Sequence, residues 1–213
     1  MKKLLSLVLA LSLCLSLGAM LSSCDLFGAK GAMEELNEEE WQEALSAPNF
    51  ENVTIKYEYT HEGMLYKQIA KFTKDGVYRS NEATQDGASI GKQEHFFTGT
   101  DADTQRNLFL QTFLAIVKDR NNFEYNKDEK IYFAEKASVR VDQAEGLYVE
   151  ENITNGKLSF TDKGNVDKFV CTLNEVAYVN NEKNQDITID VTWNFSDYGT
   201  TTITAEEQAN GSK

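Results

Sequence analysis

The sequence predicts an α+β protein: a curved antiparallel β-sheet, a half-barrel in outline, wrapped around one or two α-helices. Three observations predict it. Apolar and polar residues alternate with a period of two over many stretches, most clearly at Ile187, Ile189, Val191, Trp193 and Phe195 against Thr188, Asp190, Thr192 and Asn194. One central stretch, Ala102 to Lys118, changes to helical spacing and carries more apolar surface than a single packing face needs. Turn residues punctuate the alternating runs at short intervals on either side of that stretch.

The N-terminal end is read first, because it changes what the folded part is. Lys2 and Lys3 precede an uncharged stretch from Leu4 to Leu21, followed by Ser22, Ser23 and Cys24. A basic start and an apolar run fit a secretory signal. A membrane-spanning anchor is the rival, since ~20 apolar residues cross a bilayer, but three serines and a Gly-Ala pair dilute this run. Leu21-Ser22-Ser23-Cys24 resembles the bacterial lipobox at all four positions. The resemblance implies cleavage between Ser23 and Cys24, a diacylglyceryl group on the Cys24 thiol, and a cell-membrane, extracytoplasmic location. Two acyl chains give stable anchoring where one gives only marginal binding. Residues 1–23 are then the signal peptide.

The mature chain keeps 190 of the 213 residues, and losing two lysines takes the formal charge from −13 to −15. Such a field repels phosphates, so no nucleic-acid partner is expected. The length suits one domain. All 23 aromatic residues lie beyond residue 23, which excludes a disordered spacer. Cys14 leaves with the signal and lipid takes Cys24, so Cys171 has no disulfide partner. Its setting, Phe169-Val170-Cys171-Thr172-Leu173, predicts a buried, inert thiol.

Residues 24–35 read as a flexible tether, and 36–205 as the single domain. Asn37 and Glu40 have capping-box spacing, with Leu36 and Trp41 placed as a hydrophobic staple. The helix they open must end before Pro48. Val53, Ile55, Tyr57 and Tyr59 alternate as a half-buried strand, and His61-Glu62-Gly63 turns the chain. Met64 to Thr73 is the next strand, and Asp75-Gly76 leads into Val77 to Ser80. Residues 83–91 read as a loose polar connection before a strand from Gln93 to Thr98. Thr100 and Asp103 have capping-box spacing for the helix Ala102 to Lys118, and Lys118 and Arg120 suit its C-terminal end. Strands are then predicted over Lys130 to Ala134, Ser138 to Val141, Leu147 to Glu150, Gly156 to Phe160 after an Asn155-Gly156 turn, Phe169 to Val179, and Ile187 to Phe195. The tail, 206–213, is expected to fray.

Catalytic signatures are missing from the sequence. There is no HExxH, GxSxG, GxxxxGK[ST] or GxGxxG, and no zinc-like Cys/His spacing around His61 or His95. Asp101-Ala102-Asp103 begins like a calcium loop but lacks its glycine and closing glutamate. No enzymatic activity, cofactor, metal or catalytic residue is expected. The acidic stretch from Glu34 to Glu43 reads as a solvated helix face.

Four segments carry a family resemblance: Asn52-Val53-Thr54-Ile55 behind a Glu-Glu-Trp helix, Asp75-Gly76-Val77-Tyr78, Asn155-Gly156-Lys157-Leu158, and Phe195-Ser196-Asp197-Tyr198-Gly199-Thr200. Together they resemble lipoproteins of the LolA/LppX-like half-barrel type over residues 36–204. That resemblance implies a lipid or acyl chain held between sheet and helices, although fold alone does not transfer function. Tyr57, Tyr59, Tyr66, Phe109, Phe113 and Trp193 are the candidate lining of such a pocket, with ordinary core packing as the alternative for each. Two functions therefore stand open. One is a binding module for a hydrophobic small molecule or lipid; the other is a cell-envelope interaction or scaffold protein with a solid core.

Overall fold

The computed structural model describes residues 35–212. The signal segment, the lipobox with Cys24, and the tether up to residue 34 lie outside the described residues. Helix α1 (Glu38–Ala44) has the capping box its sequence predicts. Asn37 Oδ1 accepts from the Glu40 amide at 3.0 Å, and Glu40 Oε2 accepts from the Asn37 amide at 3.0 Å. After α1 a 3₁₀ turn (Ala47–Phe50) carries Pro48 in its first turn, where a missing amide hydrogen costs nothing.

The sheet has nine strands: β1 (Val53–His61), β2 (Met64–Thr73), β3 (Gly76–Gln85), β4 (Ala88–Phe97), β5 (Glu124–Asn126), β6 (Ile131–Ala144), β7 (Leu147–Phe160), β8 (Val166–Val179) and β9 (Glu182–Ser196). Every pairing is antiparallel, in the order β4-β3-β2-β1-β9-β8-β7-β6-β5. Two meanders, β1 to β4 and β5 to β9, are thus joined where β1 pairs with β9. The sheet stays open, with β4 and β5 as its edges. Helix α2 (Gly99–Val117) carries the chain from one edge toward the other, and α3 (Ala205–Gly211) ends the described chain. No described helix is long and apolar enough to cross a membrane.

Several expectations need correcting. Residues 83–91 are no loose connection: β3 and β4 pair along their length and turn at Asp86-Gly87, both left-handed (φ 52° and 80°) like Glu62-Gly63 in the first hairpin. Asn155-Gly156 is no hairpin turn either. Asn155 is left-handed (φ 55°) within β7, where the β7–β8 register shifts between Thr154 and Lys157. A bulge passes through a position that asparagine tolerates, so two predicted strands are one. Lys130 to Ala134 and Ser138 to Val141 likewise merge into β6. Helix α2 starts at Gly99 with Thr98 at its N-cap, so Thr100 and Asp103 form no capping box; Asp103 pairs with Arg106 instead.

The tail does not fray. Thr204 Oγ1 accepts from the Glu207 amide at 3.2 Å, Glu207 Oε2 accepts from the Thr204 amide at 2.8 Å, and Lys71 Nζ donates to Glu207 Oε1 at 2.7 Å. Gly211 lies so close to β4 that a Cβ there would sit 2.5 Å from the Phe96 amide nitrogen.

The core lies between one face of the sheet and the pair α1 and α2. Trp41 Nε1 donates to the Val117 carbonyl at 2.9 Å, tying α1 to the end of α2. Its indole is boxed by Phe123, Tyr132 and Phe160, with centroids 5.0–5.4 Å away. Arg120 lies over both Trp41 and Tyr132. On β9, Val191, Trp193 and Phe195 are buried while Ser196 is exposed and Thr192 and Asn194 are not buried, which is the predicted alternation.

Candidate functional site

The strand register assembles the predicted aromatic residues into a row. Trp193 pairs with Tyr57 across β9 and β1, and Tyr59 pairs with Tyr66 across β1 and β2. The rings follow: Trp193 to Tyr57 at 4.7 Å, Tyr57 to Tyr59 at 5.4 Å, Tyr59 to Tyr66 stacked at 4.8 Å. Phe113 reaches this row from α2, 6.2 Å from Trp193. Trp193 and Phe113 are buried, whereas the three tyrosines are half-buried.

Phe109 stands apart from that row. It packs edge-on against Phe72 at 6.0 Å and lies under the Arg79 guanidinium at 5.3 Å. Arg79 also donates to Gln105 Oε1 at 2.7 Å, which holds it across the half-buried side of α2. The apolar excess of α2 is therefore covered partly by Arg79, while Arg106, on α2 itself, lies over Phe72 of β2.

Sequence reasoning missed the chemistry that lies deepest on this face. Glu151 and Glu175 are direct cross-strand partners on β7 and β8. Glu151 is 1% exposed. Its Oε1 accepts from Thr112 Oγ1 on α2 at 3.3 Å, and its Oε2 is buried without a partner. Burial, then the Glu175 charge, push the Glu151 carboxyl up to about 8 against the Thr112 hydrogen bond. Burial raises Glu175 too. Two like charges facing each other across a ladder repel, and burial weakens the screening between them. At neutral pH, Glu151 accordingly keeps its proton.

The same field reaches neighbouring groups. Tyr57 is held well above its ordinary value, first by burial, then by Tyr59, Glu175, Glu151 and Cys171. Burial, then Glu151 and Asp190, push the Cys171 thiol up to about 12, so it stays protonated. Cys171 is free and buried.

Glu151 is among the residues that line a cleft of about 420 Å³. Ala115 and Ile116 of α2 and Ala137 and Val139 of β6 supply its apolar wall; Glu38, Lys118 and Asp119 stand among its polar lining. A second groove, about 640 Å³, lies on the opposite face between β1–β4 and α3. Three of its four lysines are matched by acids: Lys71 with Glu207 at 2.7 Å, Lys67 with Glu58 at 3.6 Å, Lys92 with Glu94 at 3.0 Å.

Comparison with known protein families, with curated proteins and with solved structures gives no match.

Proposed function

We propose that this chain is a bacterial lipoprotein, held at the extracytoplasmic face of the cell membrane through lipidated Cys24. Its domain acts by interaction and not by catalysis, as a cell-envelope binding or scaffold module with a solid core. The complete lipobox behind Lys2 and Lys3 supports the anchor. The curvature of a half-barrel draws support from register shifts in the long strands, since bulges bend the strands that carry them, while the LolA/LppX-like resemblance rests on the four sequence segments alone.

One observation carries the choice of a solid core. Phe113 is 0% exposed and packed among Phe50, Phe169, Trp193 and Phe195 with centroids 4.9–6.5 Å away. The space beneath the middle of α2 is filled by side chains, at the place where an acyl chain would lie. The second reading, a carrier for a lipid or other hydrophobic molecule, is favoured by the half-buried row Tyr57, Tyr59 and Tyr66.

A fluorescent fatty-acid titration separates the two readings. The solid-core protein gives no saturable binding; saturable uptake weakened by Tyr59→Ala would establish the carrier. For the anchor, Cys24→Ala is expected to move the protein out of the membrane fraction as a soluble or uncleaved precursor. Processing at the same bond with unchanged detergent partitioning would contradict it.

A further inference from the structure

The Glu151 carboxyl that lines the cleft has no role in the fold that explains its cost. A buried carboxyl is ordinarily paired or replaced by an apolar residue, because an unsatisfied buried acceptor is destabilising. Glu151 has one oxygen on Thr112 and one without a partner. It also faces Glu175 directly across the β7–β8 ladder. Both features become useful when something positive is placed between the carboxyl and the cleft.

We propose that the cleft between α1, the C-terminal end of α2 and β6 binds a small primary amine. The ammonium group pairs with Glu151 Oε2, and the hydrocarbon part lies on Ala115, Ile116, Ala137 and Val139. The charge around the cleft selects this class. Glu38 and Asp119 stand in its lining against Lys118 alone, and Glu175 lies beside Glu151. An anion would meet the charges of Glu38, Asp119 and Glu175. A neutral alcohol would bring no charge to offset Glu38, Asp119 and Glu175. A metal ion lacks donors, because no group of three or more His, Cys, Asp or Glu side chains among the described residues is placed to hold one. An ammonium brings three donors and a full charge on a compact head. The cleft, about 420 Å³, has room for an amine of four to six carbons.

Binding is coupled to a proton. Glu151 holds one at neutral pH before the amine arrives, because of its burial and Glu175. The ammonium favours the ionised carboxylate, so that proton passes to the buffer as the ion pair forms. The groups facing Glu151 are Glu175 and Cys171 on β8, Tyr57 on β1 and Thr112 on α2, with Glu38, Lys118 and Asp119 in the cleft lining. This inference does not depend on the anchor, since it rests on the domain alone.

Calorimetry on the intact purified protein tests it with three probes of one size: n-butylamine, 1-butanol and butyrate at pH 7. The expected result is saturable butylamine binding, at least about tenfold tighter than either control, with proton release seen by comparing phosphate and Tris buffers. Glu151→Gln should weaken butylamine by about tenfold or more and abolish the proton release. Val139→Trp should block the cleft while leaving Glu151 in place. Lack of saturation up to about 10 mM butylamine would overturn the proposal. So would butanol or butyrate binding as tightly as the amine, or Glu151→Gln binding like wild type. The selectivity of the wild-type protein decides the matter even if a variant fails to fold.

Discussion

Trp193 sits among the rings of the aromatic core: Tyr57, Phe113 and Phe169 lie within 4.7–6.2 Å of it. Truncating it leaves a cavity that such rigid neighbours cannot fill, so Trp193→Ala should cost about 3–5 kcal/mol in urea unfolding. A loss indistinguishable from zero would mean the core is not built around β9. Glu151 gives the opposite kind of prediction. In the unfolded chain its carboxyl ionises near 4.5, whereas in the fold it holds its proton up to about 8. The folded state therefore binds more protons between those values, and stability falls as pH rises through that window. The slope is at most about 1.4 kcal/mol per pH unit. Glu151→Gln should flatten this dependence and be more stable than wild type at pH 8; an unchanged slope would contradict it. Both residues were within reach of the sequence, and only one was found. Trp193 sits in an unbroken five-fold alternation. Glu151 follows Val149 and precedes Ile153 on the same parity, and Glu175 continues Phe169, Cys171 and Leu173. Ending the predicted strand at Glu150 hid an acid at an inward position.

At the scale of elements, β1, β2 and β9 were legible because one of their faces is dry and the other wet. β3 and β4 were legible only in part: Val77 to Ser80 and Gln93 to Phe97 read as strand, but 83–91 did not, because Gly87, Gly91 and the polar residues between them look like a loop. What makes them strands is pairing with each other and with β2, which no local pattern records. Asn155-Gly156 misled in the reverse sense, since the same left-handed asparagine serves a hairpin turn or a bulge. Helix α2 was placed correctly by its spacing, but its N-terminal cap and its covering were not. The width of its apolar arc required something to lie on more than one side. Side-chain type alone does not say that Arg79 does part of this. The two phenylalanines of α2 should consequently differ. Phe113→Ala, in a fully enclosed site, should cost about 3–5 kcal/mol, while Phe109→Ala, half-buried beneath an arginine, should cost clearly less. Equal losses in chemical denaturation would mean that α2 is seated differently.

The whole molecule is a sheet of two meanders joined at their middle strands, spanned by one helix and capped by short helices on opposite faces. That topology places the filled aromatic interior at the centre and the Glu151 cleft toward the β6 side of α2. It leaves the start of the described chain, at residue 35, beside the end of α2, where Arg120 Nη2 donates to Glu35 Oε1 at 2.6 Å. The eleven residues from Cys24 to Glu34 then lie between that point and the proposed lipid, a tether of up to ~36 Å when extended. The anchor, unlike the register of the sheet, is written in four adjacent residues, so sequence alone states it. Intact-mass spectrometry of the protein extracted from its membrane tests it most directly. The account predicts a chain beginning at Cys24, with Met1 to Ser23 removed and covalent mass equal to a diacylglyceryl group or to that group plus an amide-linked acyl chain. A chain that begins at Met1, or one that begins at any residue without added lipid mass, would contradict it.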